Sequence, residues 1–259
     1  MNERPLAIVT GASSGIGAAL AAEIARDGYA LLLVARRADR LRALAERLDA
    51  PVEVFAADLT DPGAIEALAG VLAMQGRQPD VLVNNAGFGQ GGAFAAASAA
   101  RDLQMVDLNV RAVVDLTHRF LPGMLARGRG GVLNVASIVG YQAGPYSAVY
   151  SASKAFVLSF SDALYSECAN TGVAVSALCP GPVETEFFSE AGAEKMRFRR
   201  FARALPAERV AAAGWRGFKA GKRRVVPGTL VKLRALTAWM TPAALELPVV
   251  KAMQRIPEE

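Results

Sequence analysis

The chain has 259 residues, of which 53% are hydrophobic and two are cysteines. This length and apolar content are enough for one large core, and two cysteines exclude a disulfide-stapled scaffold. The net charge of +5 fits either a negatively charged partner or a solvated basic face. Because zinc-ligand spacings and nucleic-acid-binding motifs are absent from the sequence, we expect no metal and no nucleic acid.

The N-terminus and the cysteines indicate where the protein works. The first residues, MNERPLAIVT, contain no long apolar stretch after their charges, so we expect no signal peptide. The two cysteines, Cys168 and Cys179, suit a reducing compartment. We therefore expect a cytoplasmic protein.

Apolar strands alternate with helical patterns along most of the chain. Strands are predicted at residues 6–10, 30–35, 52–58, 80–87, 131–137, 172–180 and 223–228, and the first two helices at 15–27 and 38–48. Strands that are apolar throughout and separated by helices indicate a doubly wound α/β fold, in which helices cover both faces of a parallel sheet. Ligands of such sheets bind beyond the carboxyl ends of the strands. We treat residues 1–227 as one domain.

The first strand ends in a glycine-rich turn, TGASSGIG, at residues 10–17. Its glycines let the backbone turn tightly and let a phosphate approach, and the following helix points its N-terminal amides at the anion. An ordinary strand-to-helix turn would also use glycine, but a turn joining the first strand to the first helix is typical of dinucleotide binding. The predicted cofactor contacts in this loop are Gly11, Ser13, Ser14, Gly15, Ile16 and Gly17.

The end of the second strand distinguishes between the two nicotinamide cofactors. A carboxylate there would bind a ribose 2′-hydroxyl and favour NAD(H), but the chain reads VARRADR, with Ala35 in that place. Arg36 follows, and a guanidinium suits the 2′-phosphate of NADP(H). The alternative is a solvated arginine at the start of a helix. We predict that NADP(H) is favoured over NAD(H).

The next two strand ends also carry polar or small residues. Asp58 ends the third strand and can accept a hydrogen bond from an adenine amino group, whereas a turn or capping aspartate is the alternative. The fourth strand ends in NNAG, residues 84–87, whose small residues allow close passage of the cofactor. Asn84 and Asn85 can hold loops or a ribose, and we expect one of them to be structural. The predicted contacts here are Asp58, Asn85, Ala86 and Gly87.

A catalytic group is predicted at the end of the fifth strand and on the helix after it. Ser137 ends the strand, and Tyr150 and Lys154 follow on one face of the helix, four residues apart. Asn109 lies on an earlier predicted helix. Each residue alone has a common structural explanation, but their order and their places at strand ends indicate a single site.

The chemistry of carbonyl reduction explains this combination of residues. A carbonyl that receives a hydride from a nicotinamide needs a proton for the developing alkoxide, and a free tyrosine has a pKa of about 10. A nearby ammonium stabilises the phenolate and lowers that pKa towards working pH. Lys154 can do this and also bind the nicotinamide ribose. Ser137 can hold the substrate oxygen, and Asn109 can fix a water that replenishes the proton of Tyr150.

Together, these motifs resemble the short-chain dehydrogenase/reductase family. TGASSGIG, NNAG, YSASK and PGPVET (180–185) match the family pattern, as do Asn109 and Ser137, over residues 5–190. The resemblance implies a single-domain Rossmann-like fold, with Arg36 marking the NADP-preferring subgroup and PGPVET passing the nicotinamide amide. It carries over a catalytic tetrad of Asn109, Ser137, Tyr150 and Lys154. It also carries over cofactor contacts at Tyr150, Lys154, Pro180, Gly181, Val183 and Thr185.

Two segments extend beyond this pattern. Residues 186–205 mix phenylalanines with arginines, which predicts a lid over a hydrophobic substrate whose head group could be anionic. Residues 228–259 follow the last strand and carry apolar residues at helical spacing, namely Leu230, Leu233, Leu236 and Met240. Their apolar runs are too short to span a bilayer. We expect a helical extension packed on the domain or on a partner subunit, where it contributes to the rim of the substrate pocket or to a dimer interface. A basic segment on a membrane surface is the alternative.

The sequence therefore predicts an NADP(H)-dependent oxidoreductase that reduces a carbonyl, or oxidises an alcohol, of a small hydrophobic substrate. We also expect a homodimer or another homo-oligomer. Two other functions stay open: a catalytically silent NADP(H)-binding sensor, and a protein acting at a membrane surface through the extension. The tetrad argues against a pure sensor, because binding alone needs neither Tyr150 nor Lys154.

Overall fold

The computed structural model describes residues 4–187 and 204–254. Its strands in chain order are β1 (Leu6–Thr10), β2 (Ala30–Ala35), β3 (Val52–Ala56), β4 (Val81–Asn84), β5 (Gly130–Val135), β6 (Val173–Leu178), β7 (Val183–Glu184), β8 (Leu205–Pro206) and β9 (Arg224–Val225). Seven of them form one parallel sheet in the order β3-β2-β1-β4-β5-β6-β9, and β7 pairs with β8. The predicted α/β fold with about seven parallel strands is confirmed.

Helices cover both faces of this sheet. They are α1 (Gly15–Arg26), α2 (Ala38–Ala45), α3 (Pro62–Met74), α4 (Ala99–Val106), α5 (Ala112–Arg127), α6 (Ala148–Glu167), α7 (Ala207–Lys219), α8 (Thr229–Met240) and α9 (Ala243–Gln254). A π-helical turn, Asp107–Arg111, joins α4 to α5. None of the helices within the described ranges is long and apolar enough to cross a membrane.

The alternating side chains of β1 build a separate core on each face of the sheet. Val9 packs in one cluster with Leu20 of α1 and Trp215 of α7. Ile8 packs in the other with Leu116 of α5. All five side chains are buried. Strands buried on both faces have little room for polar residues, which explains why β2 is apolar throughout and β1 is apolar up to its last residue, Thr10.

The strand order reverses between β1 and β4, and this reversal positions the site. The chain builds outward from β1 to β3 and then crosses back to place β4 on the other side of β1. The helices on either side of a reversal diverge, which leaves a crevice at the carboxyl ends of the two strands. The glycine loop follows β1, and Asn85 follows β4, so both face this crevice.

The C-terminal extension forms two helices, but it does not bury all of its predicted apolar face. Ala235 of α8 and Val250 of α9 are buried, whereas Leu230 and Leu233 are 82% and 59% exposed. These two leucines therefore do not pack on this domain, and their packing on a partner subunit stays a prediction. Helical spacing identifies an apolar face, but it does not say which face of the helix meets the domain. The side chains of Leu236 and Met240, and most of the predicted lid, lie outside the described residues.

Candidate active site

A cavity opens at the carboxyl ends of the central strands, where the sequence places the site. It is lined by most of the residues predicted to bind cofactor or substrate. These are Gly11, Ser14, Gly15, Ile16, Asn85, Ala86, Gly87, Ser137, Tyr150, Lys154, Pro180, Gly181, Val183 and Thr185. The predicted residues outside this lining are Ser13, Gly17, Arg36, Asp58 and Asn109.

The glycine loop is packed so closely that Gly17 has no room for a side chain. A Cβ there would lie 2.3 Å from the carbonyl oxygen of Gly11 and 2.4 Å from Nδ2 of Asn85. Gly11 itself has a φ of +65°, in the left-handed region that favours glycine. Asn85 fixes the loop by donating from Nδ2 to the carbonyl oxygens of Thr10 and Gly11, at 2.9 and 3.2 Å. Gly17 therefore lets α1 pack directly against the backbone of the loop and the side chain of Asn85.

The N-terminus of α1 is suited to a negatively charged ligand. The helix begins at Gly15, and the side chain of the N-cap residue Ser14 makes no capping hydrogen bond. No acidic residue lies in the first turn. The first amides of a helix have no partner within the helix and carry the positive end of its dipole. These amides face a cavity that Ser14, Gly15 and Ile16 line, so a phosphate group fits there.

Arg37, the neighbour of the predicted Arg36, reaches the glycine loop. Its Nε and Nη2 donate to Ser13 Oγ at 3.3 and 3.2 Å, and Nη2 donates to Ser14 Oγ at 3.0 Å. Its Nη1 donates to Glu186 at 3.0 Å. Arg36 is exposed. The sequence shows two adjacent arginines and contains no signal for which of them turns towards the loop.

Glu186 bridges two arginines at the edge of the cavity. Arg40 donates from Nη1 to its two carboxylate oxygens at 2.7 and 2.8 Å, and Arg37 is its second partner. Hydrogen bonds from Arg40 and Arg37 hold the pKa of this carboxyl below its usual range. This corner of the site is basic and rich in hydroxyl groups, because Arg37, Ser13 and Ser14 meet there. The anionic group that Arg37 already binds is the Glu186 carboxylate.

Two other polar residues at strand ends take part in local structure. Asp58 Oδ1 accepts hydrogen bonds from the amide and hydroxyl of Thr60, at 3.0 and 2.9 Å, in a turn after β3. Asn84 is buried and donates to Asn134 Oδ1 at 2.9 Å. Asn84 is thus the structural asparagine of the pair. The adenine contact predicted for Asp58 stays a prediction.

Ser137, Tyr150 and Lys154 meet on one side of the cavity. Tyr150 hydrogen-bonds to the Ser137 side chain, and Lys154 Nζ lies 5.9 Å from the centre of the Tyr150 ring. Lys154 is 6% exposed and donates from Nζ to the carbonyl oxygen of Val135 at 2.8 Å. A hydroxyl, a phenol and an amine therefore line the same wall.

Burial dominates the ionisation of this group. Burial raises the pKa of Tyr150 to about 12, and the hydrogen bond with Ser137 offsets only part of the rise. Burial also lowers the pKa of Lys154 to about 8. The expectation that Lys154 lowers the pKa of Tyr150 is not met in this structure. Burial disfavours the charged form of Lys154 itself, so this amine stabilises a phenolate less than an exposed ammonium would. Tyr150 therefore stays protonated and is a proton donor at neutral pH.

Asn109 lies behind the cavity wall and holds the loop after β4. It is 1% exposed and belongs to the π-helical turn between α4 and α5. Its Nδ2 donates to the carbonyl oxygen of Phe88 at 3.0 Å and to Ser153 Oγ at 3.1 Å, and its Oδ1 accepts from the Phe88 amide at 3.2 Å. Asn109 thus links the NNAG loop to the helix that carries Tyr150. Its predicted role in a water relay stays a prediction.

The C-terminal extension contributes one wall of the cavity, and the rim of the substrate pocket is one of the two places that the sequence analysis gives for it. Arg234 of α8 and Met253 and Gln254 of α9 line the cavity. Gln254 is 8% exposed, and its Oε1 accepts a hydrogen bond from Ser147 Oγ at 3.1 Å. Ser147 precedes α6, so the extension is tied to the start of the catalytic helix. Helical spacing in the sequence predicts the helices, but it carries no signal for which of their residues face the cavity.

Comparison with known proteins identifies the family. The family model described as short chain dehydrogenase matches residues 5–196. The chain belongs to the short-chain dehydrogenase/reductase family. Its members act on alcohol and carbonyl groups with a nicotinamide nucleotide, so this short-chain dehydrogenase is an oxidoreductase of that kind.

Relatives of this short-chain dehydrogenase are named for several different activities. Sulfoacetaldehyde reductase from Chromohalobacter salexigens is 40% identical over 183 residues, which are 69% of this chain and 72% of that protein. A short-chain dehydrogenase from Sphingobium yanoikuyae in complex with NADPH is 30% identical, covers 98% of both chains and has a TM-score of 0.81. The bulky-bulky ketone specific alcohol dehydrogenase from Comamonas testosteroni is 30% identical, covers 95% of this chain and 94% of its own, and has a TM-score of 0.77.

Proposed function

We propose that this protein is an NADP(H)-dependent oxidoreductase that interconverts a ketone or aldehyde and its alcohol, with Tyr150 as general acid and base. The observation that carries the proposal is the convergence of Ser137, Tyr150 and Lys154 on one cavity wall, in the cavity that the glycine loop also lines. A bound nicotinamide supplies the hydride that adds to the carbonyl carbon. Tyr150 supplies the proton that the carbonyl oxygen gains, and the product is the alcohol.

The other members of the group have distinct roles. Ser137 donates to the substrate oxygen and keeps it in reach of the Tyr150 hydroxyl, to which Ser137 is already hydrogen-bonded. Lys154, when charged, stabilises the phenolate that remains after proton transfer and binds the nicotinamide ribose. Asn109 positions a water that returns a proton to the site. In alcohol oxidation, the same groups work in reverse.

The cofactor would be held along the glycine loop and the PGPVET segment. The amides at the start of α1 suit the pyrophosphate. Gly11 and Gly87 let protein groups pack closely around this part of the site, because an added Cβ would lie 2.8 Å from Ala86 Cα and from Asn109 Oδ1, respectively. Val183 and Thr185 line the cavity beside the proposed nicotinamide position. Arg36 and Arg37 suit the 2′-phosphate of NADP(H), because a guanidinium pairs with phosphate in a bidentate geometry.

We propose a largely hydrophobic substrate. Val139, Phe187 and Met253 line the cavity on the side of Tyr150 and the extension, and the Phe187 ring centre lies 5.3 Å from that of Tyr150. The structural likeness to an alcohol dehydrogenase specific for bulky ketones supports this choice. We place the protein in the cytoplasm, which its two free cysteines support. A homo-oligomer, with or without membrane contact through the extension, stays a prediction.

Cofactor preference tests this proposal. We expect NADPH to bind more tightly than NADH, and Arg36→Ala and Arg37→Ala each to weaken NADPH binding by about 10- to 150-fold, the loss of one charge-assisted contact. NADH binding should change much less, because NADH lacks the 2′-phosphate. Dissociation constants from fluorescence titration measure both effects.

Arg42→Ala is the matched control for these variants. Arg42 lies further along α2 and is exposed, so its removal should leave both affinities unchanged. Equal affinities of the wild-type protein for NADH and NADPH would show that the assignment of NADP(H) is wrong.

A further inference from the structure

Glu186 lies in a short segment that touches both ends of the site. The residue before it, Thr185, packs against the glycine loop, since a Cβ on Gly15 would lie 2.8 Å from Thr185 Cγ2. The residue after it, Phe187, packs against the ring of Tyr150. Glu186 lines the cavity between these contacts, and its carboxylate binds Arg37 and Arg40 at the start of α2. A glutamate therefore reaches the corner that the proposed function gives to the 2′-phosphate.

The two arginines hold the Glu186 carboxylate as they would hold a phosphate. Oε2 accepts from Arg37 at 3.0 Å and from Arg40 at 2.8 Å, and Oε1 accepts from Arg40 at 2.7 Å. Two guanidinium groups that converge on one oxyanion make a common arrangement for carboxylates and phosphates alike. The carboxylate thus shows that an anion fits this corner.

Every nitrogen of the Arg37 guanidinium is already engaged. Nη1 donates to Glu186, Nε donates to Ser13, and Nη2 donates to Ser13 and Ser14. A phosphate that pairs with Arg37 must take over one or more of these donors.

The carboxylate is the partner that has to give way. A serine hydroxyl can turn and donate to an incoming phosphate, so Ser13 and Ser14 can stay in place. An ionised carboxylate only accepts hydrogen bonds, and it repels a second anion. The side chains of Arg37 and Glu186 are 35% and 46% exposed, so a ligand can reach the pair. Ion pairs with this exposure are weak enough for a charged ligand to replace.

We propose that Glu186 determines cofactor specificity by competing with the 2′-phosphate of NADP(H) for Arg37 and Arg40. The competition makes the preference for NADPH over NADH smaller than the two arginines alone would give. This inference rests on the part of the proposed function that places the 2′-phosphate at Arg37. It does not depend on proton transfer by Tyr150.

Binding measurements without a carbonyl compound test this competition. At one fixed ionic strength, fluorescence titration gives the dissociation constants of NADPH and NADH, and calorimetry gives those of adenosine 2′,5′-bisphosphate and adenosine 5′-monophosphate. Glu186→Gln keeps the size of the side chain and removes its charge. We expect the two ligands with a 2′-phosphate to bind about 2- to 25-fold more tightly, the range for no longer breaking one or two exposed ion pairs. The affinities for NADH and the monophosphate should change little.

Glu46→Gln is the matched control, because Glu46 is exposed just beyond the end of α2 and has no ion pair among the described residues. It loses the same charge and should leave all four affinities unchanged. In an Arg37→Ala background, Glu186→Gln should raise NADPH affinity by much less than in the wild-type protein, because the contested guanidinium is gone.

The inference is overturned if Glu186→Gln leaves NADPH affinity unchanged or weakens it, or if both cofactors gain equally. It is also overturned if the full gain persists without Arg37. NADPH-dependent turnover with no gain in Glu186→Gln would contradict this inference alone. A selective gain for NADPH in a protein that turns over no carbonyl compound would support the role of Glu186 and contradict the proposed function.

Discussion

Replacing Tyr150 by phenylalanine should abolish carbonyl reduction and leave the cofactor bound. The change removes one oxygen from a partly buried ring that packs against Phe187 and keeps the packing. General acid catalysis by a positioned side chain contributes about 10²- to 10⁴-fold, so kcat should fall by at least that range. The affinity for NADPH should change by no more than a few-fold. Steady-state kinetics on a ketone that the wild-type protein accepts, together with an NADPH titration, measure both quantities.

Tyr165→Phe is a suitable control for this variant. Tyr165 lies at the far end of the same helix and is 38% exposed, so it loses the same oxygen without touching the site. Its activity should equal that of the wild-type protein. If Tyr150→Phe retains most of the wild-type rate, another group supplies the proton and the proposed mechanism is wrong.

Replacing Gly17 by alanine should have the second large effect, on cofactor binding and on stability. The new methyl group would lie 2.3 Å from a backbone oxygen of the glycine loop, and backbone cannot rotate away as a flexible side chain can. The loop must shift, which costs about 1–3 kcal/mol of unfolding free energy for an overpacked site. The amides that face the cavity shift with it. We expect NADPH affinity to fall by at least about 10-fold, the equivalent of one lost charge-assisted contact.

Gly70→Ala separates this local effect from the general cost of changing a glycine. Gly70 lies in α3 and is exposed, with nothing within 4 Å of an added Cβ. Alanine is the better helix former there, so stability should rise by about 0.5–1 kcal/mol and NADPH binding should not change. Chemical denaturation and titration of both variants measure the contrast. Unchanged NADPH affinity in Gly17→Ala would contradict the proposed role of the loop.

The features that the sequence predicts well are those fixed by local pattern. Strands β1 and β2 have the predicted bounds, because an apolar run between turn residues leaves few alternatives. The pairing of Tyr150 with Lys154 follows from helical spacing alone. The strand β4 is shorter than predicted at the end that meets the site. It stops at Asn84, whereas the predicted strand continues to residue 87. The residues after Asn84 leave the sheet to line the cavity.

The features that the sequence does not predict depend on how distant segments dock. Arg37 reaches the glycine loop, and Gln90 and Gln254 line the cavity, only because the β2–α2 turn, the loop after β4 and the extension converge there. Nothing in the spacing of these residues shows this convergence. The pKa of Tyr150 is a further example. Sequence reasoning identifies a charged neighbour, whereas the depth of burial sets the direction of the shift.

Transfer of a labelled hydride tests the central proposal most directly. NADPH that carries deuterium at both C4 positions is incubated with the wild-type protein and a ketone that it accepts, and the alcohol is analysed by mass spectrometry. The proposal predicts one deuterium on the carbinol carbon for each NADPH oxidised, and almost no labelled alcohol over the same time with Tyr150→Phe. Oxidation of NADPH without deuterium in the alcohol, or binding of NADPH with no turnover on any carbonyl compound, would contradict it. Binding of NADPH without turnover is the result expected of a catalytically silent NADP(H)-binding sensor.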